Sequence, residues 1–101
     1  MNIRMTFDKS CTKSDFLESY TWERVSRLTR LEYTPFEVHL HFFSQHQTHT
    51  VEAHVSGADI DIFVIEEQVG YCEAVDKVLA KLQKIVRKHK EIAQKHKKPY
   101  H

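Results

Sequence analysis

The run YCEAVDKVLAKLQKIVRKHKEIAQKHKK, from Tyr71 to Lys98, decides the fold, because it carries an apolar stripe and a separate basic stripe at helical spacing. At about 100° per residue, Tyr71, Val75, Val78, Leu82, Ile85, Val86, His89 and Ala93 share one face, the expected core side. Lys77, Lys81, Lys84, Lys88 and Lys95 gather in a band roughly 60° wide beside it. Glu73, Asp76 and Glu91 lie outside that band, so the helix offsets only part of its own positive charge. Such a stripe is either a solvated helical face or an electrostatic surface for phosphate.

The 101-residue chain has a formal net charge of +1, but that average hides a dipole. Residues 1–70 hold 6 Lys and Arg against 11 Asp and Glu, and residues 71–101 hold 9 against 3, a split of −5 and +6. An anionic partner for the C-terminal helix fits this asymmetry, and a uniformly basic glove around nucleic acid does not. With 41% hydrophobic and 11% aromatic residues, the expectation is one modest core in a single domain over residues 1–98, followed by a short tail at 99–101. No apolar run approaches the roughly 18 residues of a membrane span, and the start of the chain lacks the pattern of a signal peptide. The expected location is therefore the cytoplasm. Cys11 and Cys72 are too far apart for a disulfide framework or a CxxC zinc site, so inert thiols are expected.

Working outward from the long helix, Ile3, Met5 and Phe7 alternate with Arg4 and Thr6 as a first strand. Thr12 and Asp15 are spaced as a capping box, which predicts a helix from Lys13 to Leu31 with Leu17, Tyr20, Thr21, Val25, Leu28 and Leu31 inward. Arg24 falls inside that apolar face. Its stem packs there, and its guanidinium is either a structural group or one that extends between the helices to join the Lys81 side of the basic stripe. Arg27 and Arg30 lie at one edge, with Glu23 spaced to pair with Arg27. Thr34-Pro35 starts an extended segment in which Phe36, Val38, Leu40 and Phe42 alternate with Glu37, His39, His41 and Phe43. Ser44 to His49 reads as a loop, and Val51, Ala53 and Val55 as a third strand paired with the second. Beyond the turn at Gly57-Ala58-Asp59, Ile60, Ile62 and Val64 face the core while Phe63 and Ile65 point the other way. Glu66 and Glu67 are placed near the positive N-terminal end of the long helix. The order is β-α-β-β-β-α, and the simplest packing is an α+β fold of two layers, a four-stranded sheet with both helices on one face.

Those residues resemble the ribosome hibernation factors, the family of the short-form ribosome hibernation promoting factor, the ribosome-associated inhibitor and the sigma-54 modulation protein. The likeness covers nearly the whole chain. Met1 to Thr6 resembles the family's opening strand. Tyr71, Ala74-Val75-Asp76, Lys81-Leu82 and Lys88-His89-Lys90 stand where the family has its helix-start tyrosine, aliphatic-Asp pair, Lys-Leu and Lys-His-Lys. Thr48-His49-Thr50, Ala53-His54-Val55 and Gly57 are similar to its hairpin. The resemblance implies a fold similar to a double-stranded RNA-binding domain. It also implies binding to the 30S ribosomal subunit near the decoding centre, where mRNA and tRNA sites are occluded and ribosomes hibernate in stress or stationary phase. Arg24, Arg27, Lys81, Lys84, Lys88 and Lys90 match basic positions of the family and would contact 16S ribosomal RNA. Arg30 and Lys77, on the same basic edges, complete the expected RNA-binding set.

His39, His41 and His54 share the open side of the sheet, and with Phe43 and Phe63 they read as surface or stacking groups rather than as a zinc site. His89 reads as a packed core histidine. No Gly-rich phosphate loop, HExxH or GxSxG is present, so the expectation is a binding protein without catalytic residues, cofactor, metal, small-molecule substrate or membrane contact. The alternative is a diverged module of the same fold that binds a protein partner, or forms a weak homodimer, through the open sheet face.

Overall fold

The computed structural model describes residues 1–32 and 34–97, with side chains described as far as residue 94. Its elements are β1 (Asn2–Phe7), α1 (Asp15–Val25), a 3-10 helix (Ser26–Leu31), β2 (Phe36–Gln45), β3 (Thr48–Gly57), β4 (Asp61–Gln68) and α2 (Tyr71–Lys97). The sheet order is β1-β2-β3-β4, with β1 parallel to β2 and the other pairs antiparallel. A parallel pair needs a crossover connection, which α1 and the 3-10 helix supply. α2 lies over β3 and β4 and packs beside α1 and the 3-10 helix, so both helices cover one face of a mixed sheet. This is the expected α+β two-layer arrangement.

Strand alternation builds the core. Val38 pairs with Val55, Leu40 with Ala53 and Phe42 with Val51, and all six side chains are buried toward the helices. Val25, Leu28, Val75, Val78, Leu82 and Val86 close the layer from above. Each fully buried aliphatic side chain contributes about 1.5–3 kcal/mol by leaving water. Cys11 is buried and Cys72 half-buried, both as free thiols.

The structure departs from the sequence reading at several points. α1 starts at Asp15 rather than Lys13, and its N-cap is Ser14, whose hydroxyl accepts the Leu17 N–H at 3.0 Å; Thr12 caps nothing. The helix does not run on to Leu31 as an α-helix. The Ser26 hydroxyl donates to the Glu23 carbonyl at 2.7 Å, and from Ser26 the chain tightens to three residues per turn. That geometry stacks Val25, Leu28 and Leu31 in one line over the core, a spacing that an α-helix would fan apart. The β2–β3 connection is not a six-residue loop. Gln45 pairs with Thr48, leaving a two-residue turn in which His46 takes the left-handed φ of 61°. In α2, Ile85 is 41% exposed, whereas Ala74 and Leu79 are buried. Leu79 falls on the flank that α1 and the 3-10 helix cover and Ala74 on the Lys81 flank, so the first turns bury a broader face than expected while Ile85, further along, is open. His89 is half-buried, and its ring Nε2 donates to the Asp59 carbonyl at 2.7 Å rather than packing inside the core.

Candidate nucleic-acid interface

The eight basic residues expected to meet RNA fall into distinct groups around the helical layer. Lys77, Lys84 and Lys88 are exposed, share a band roughly 40° wide on the outward side of α2, and make no ion pair among the described residues. The side chain of Lys95, expected in the same stripe, and residues 98–101, which include the short tail, lie outside what the structure describes.

Lys81 turns away from that row to pair with Glu66 of β4, whose side chain is only 11% exposed. Glu66 follows Ile62 and Val64 on the helix-facing side of β4 and so reaches the third turn of α2, not its N-terminal end. The ammonium beside it holds the Glu66 carboxyl below the usual carboxylate range. Glu67 points to the opposite face and accepts from the Thr48 hydroxyl at 2.9 Å. Lys81 thus balances a nearly buried charge at the rim of the core.

Arg24 does not join the Lys81 side. Its Nε lies 3.1 Å from Asp76 Oδ1, its Nη1 3.6 Å from Glu23, and its guanidinium carbon 3.5 Å from the centroid of the Tyr20 ring. Asp76 sits about 140° around α2 from Lys81, so the two cations occupy opposite flanks of the helix. Tyr20 donates its hydroxyl to both Asp76 oxygens at 2.9 and 2.8 Å, and burial, followed by that carboxylate, raises its phenol above the ordinary range. Arg27 pairs with Glu23 at 2.8 Å, as its spacing predicts. Arg30 is exposed at the end of the 3-10 helix. Lys90 is half-buried beside Leu31, Thr34 and His89, roughly 140° around α2 from the lysine row. The expected RNA-binding cations are thus divided between an outward row and the two flanks of α2, and of the two readings of Arg24 the structure holds the structural one.

One polar cluster escaped the sequence reading. Ser44 Oγ shares hydrogen bonds with His49 Nδ1 at 2.8 Å and Tyr71 Oη at 2.5 Å, and the His49 and Tyr71 rings stack with centroids 4.2 Å apart. Burial, with Cys11 close by, pushes the Tyr71 phenol up to about 12. The cluster fixes the first turn of α2 to the hairpin end of β2 and β3, which sets the direction in which the lysine row points. Tyr71 opening the helix is its visible signal, but Ser44 and His49 fall in a polar run that reads as a loop and so carry none. Among the described residues, no group of three or more His, Cys, Asp or Glu side chains is placed to hold a metal ion.

Fold and site together define a small α+β binding domain with a cationic helix on one side. The chain matches the family described as Sigma 54 modulation protein / S30EA ribosomal protein over residues 3–94, and it belongs to that family. This is a family of ribosome-associated, non-enzymatic factors linked to ribosome hibernation. Among solved structures, the fold is similar to the Protein Y N-terminal domain of Thermus thermophilus, with a TM-score of 0.80, 19% identity, and 88% of this chain and 99% of that chain covered. It is also similar to a ribosomal subunit interface protein from Coxiella burnetii, with a TM-score of 0.76, 23% identity, and 90% and 99% covered. No curated protein matches the chain.

Proposed function

We propose that this protein is a hibernation factor whose outward lysine row binds phosphates of 16S ribosomal RNA on the 30S subunit near the decoding centre. The observation that carries the reading is the row itself: Lys77, Lys84 and Lys88 project from one side of a rigid helix with no ion pair among the described residues. Cations already neutralised by carboxylates gain little from phosphate, whereas exposed lysines release condensed counterions when they meet RNA. Arg30 and Lys90 extend the contact at the flanks, and Arg24, Arg27 and Lys81 add to it where RNA competes for their carboxylate partners. Residues 1–98 act as one ribosome-binding unit. The mechanism is steric. The sheet holds the helix in place while the bulk of the domain fills the mRNA and tRNA sites, so cytoplasmic ribosomes stay idle under stress or in stationary phase.

The test is co-sedimentation with purified 30S subunits across a salt series. The parent should dissociate steeply with rising salt. Replacing Lys77, Lys84 and Lys88 together by Gln should cut affinity at least tenfold and flatten the salt slope, with thermal stability nearly unchanged because these side chains lie outside the core. A triple variant that binds like the parent, or a salt-independent parent, would refute the reading.

A further inference from the structure

The side of the sheet turned away from the helices has an unusual composition. Strand register lines up Arg4, His39, His54 and Phe63 in one row, Thr6, His41, Glu52 and Ile65 in the next, and Asn2, Glu37, Ser56 and Asp61 in a third. Phe63 is 62% exposed and Ile65 49% exposed, adjacent large apolar side chains that a solvent-facing sheet would ordinarily replace with polar ones. Phe43 extends the apolar area from β2, its ring 5.2 Å from that of His41. Around them stand the carboxylates of Glu37, Glu52, Asp61 and Glu67, while Arg4 is the single cation in these rows. Glu52 meets His41 Nδ1 at 3.2 Å and Asp61 meets His54 Nε2 at 2.5 Å.

We infer that this face docks a basic polypeptide segment, one in which Lys or Arg residues are interspersed with aliphatic or aromatic ones. Charge complementarity selects the occupant. Exposed rings on a four-stranded sheet can stack on bases, but a nucleic acid laid here would bring its phosphates against the carboxylates with only Arg4 to meet them. A second copy docked through the same face would bring together two patches of the same net negative charge, with one Arg4 from each copy to offset them, since a two-fold contact sets one surface against itself. A basic segment satisfies both features. Its apolar side chains cover Phe43, Phe63 and Ile65, while its guanidinium groups reach Glu52, Asp61 and Glu67 and lie over the ring faces. This inference rests on the ribosome reading for its setting: with α2 turned to RNA, the sheet is left to face a protein whose own charge suits RNA.

The experiment is an NMR titration of the isotope-labelled full chain with a blocked twelve-residue peptide of alternating Arg and Leu. Controls of the same length alternate Glu with Leu, and Arg with Ser. The Arg-Leu peptide should shift amides of His41, Phe43, Glu52, Phe63 and Ile65. Phe63→Ser with Ile65→Ser, and separately Glu52→Gln with Asp61→Asn and Glu67→Gln, should each weaken it at least tenfold. Thermal melts establish that both variants fold, as expected for exposed positions. Shifts confined to α2, no shifts at all, equal binding of the Glu-Leu peptide, or unchanged affinity in both folded variants would overturn the proposal. It would also be overturned if a single-stranded RNA of twelve nucleotides moved the same amides more tightly than the peptide, or if those residues instead formed a concentration-dependent dimer. Because the titration uses the isolated chain, its failure is read separately from failure to co-sediment with ribosomes.

Discussion

Arg24 and Asp76 tie the two helices together: the guanidinium Nε of α1 lies 3.1 Å from Oδ1 of α2, with Tyr20 stacked beneath one partner and bonded to the other. The arrangement gives partners to a cation that helical spacing puts inside the apolar face of α1. Arg24→Met should therefore lower stability by about 1 kcal/mol, a modest figure because Asp76 is half open to solvent. From the sequence alone the expectation is the opposite, since a methionine would keep the packed stem. Denaturant unfolding measures the loss, and co-sedimentation of the folded variant should weaken less than that of the Lys77, Lys84 and Lys88 triple variant, because Asp76 and Glu23 already hold the guanidinium. A stability equal to the parent's would show that the clamp contributes nothing.

Lys81 lies at the other flank of α2, and its removal should be felt through Glu66. Hydrogen bonding to Lys81 is the main cause of the lowered Glu66 pKa, so this carboxylate adds stability above its ordinary value of 4.5 and loses it as the pH falls through the lowered folded-state value. In Lys81→Gln, the Glu66 titration observed by carbon NMR should move upward. The part of the acid unfolding limb that Glu66 contributes should shrink. An unmoved titration would mean that the pair does not hold in solution.

Thr21 is fully buried in α1, and its hydroxyl finds no hydrogen-bond partner among the described residues. A hydroxyl removed from water without compensation is costly, so Thr21→Val, close in shape, should raise stability by about 1 kcal/mol. Calorimetry would register an increase in Tm. A decrease would indicate that the hydroxyl is satisfied in solution by water.

His39, half-buried on the open face, has its pKa lowered from the ordinary 6.5, first by burial and then by Arg4, His41 and His54. A histidine whose folded pKa is depressed binds its proton less readily in the native state than in the unfolded chain. Its contribution is thus complete above about pH 6.5 and is lost as the pH falls from there through the folded-state value. Arg4→Gln should raise the His39 pKa and reduce that loss, measured by NMR titration and by melts on either side of about pH 6. A pKa unaffected by the substitution would rule out Arg4 as a cause.

Periodicity made most of the fold readable, because each layer buries a regular subset of side chains. Ile3, Met5, Val38, Leu40, Val55, Val64 and Leu82 all face where alternation or helical spacing puts them. Two kinds of information were missing from such patterns. The first is local competition: Ser14 outbids Thr12 as a cap, and the Ser26 hydroxyl helps tighten the helix, through bonds that propensities do not rank. The second is the pairing of charges across elements. Glu66 in phase with Ile62 and Val64 is a visible clue that an inward carboxylate needs a cation. That Lys81 supplies it, and that Asp76 rather than open solvent receives Arg24, depends on which flank of α2 meets each neighbour. Lys77, Lys84 and Lys88 were legible as a row, because their common direction follows from helical geometry alone.

The row of lysines and the carboxylates of the open sheet stand on opposite sides of a thin molecule. Such a particle feels a torque in an external field as well as an attraction. Near a dense polyanion it would turn its helical side inward while still separated by a layer of solvent, so fewer collisions arrive wrongly posed. The near-neutral total charge adds to this effect, since it leaves little net pull to hold a misoriented encounter at the surface. Arrival rate and arrival pose are thereby governed by different moments of the same charge distribution.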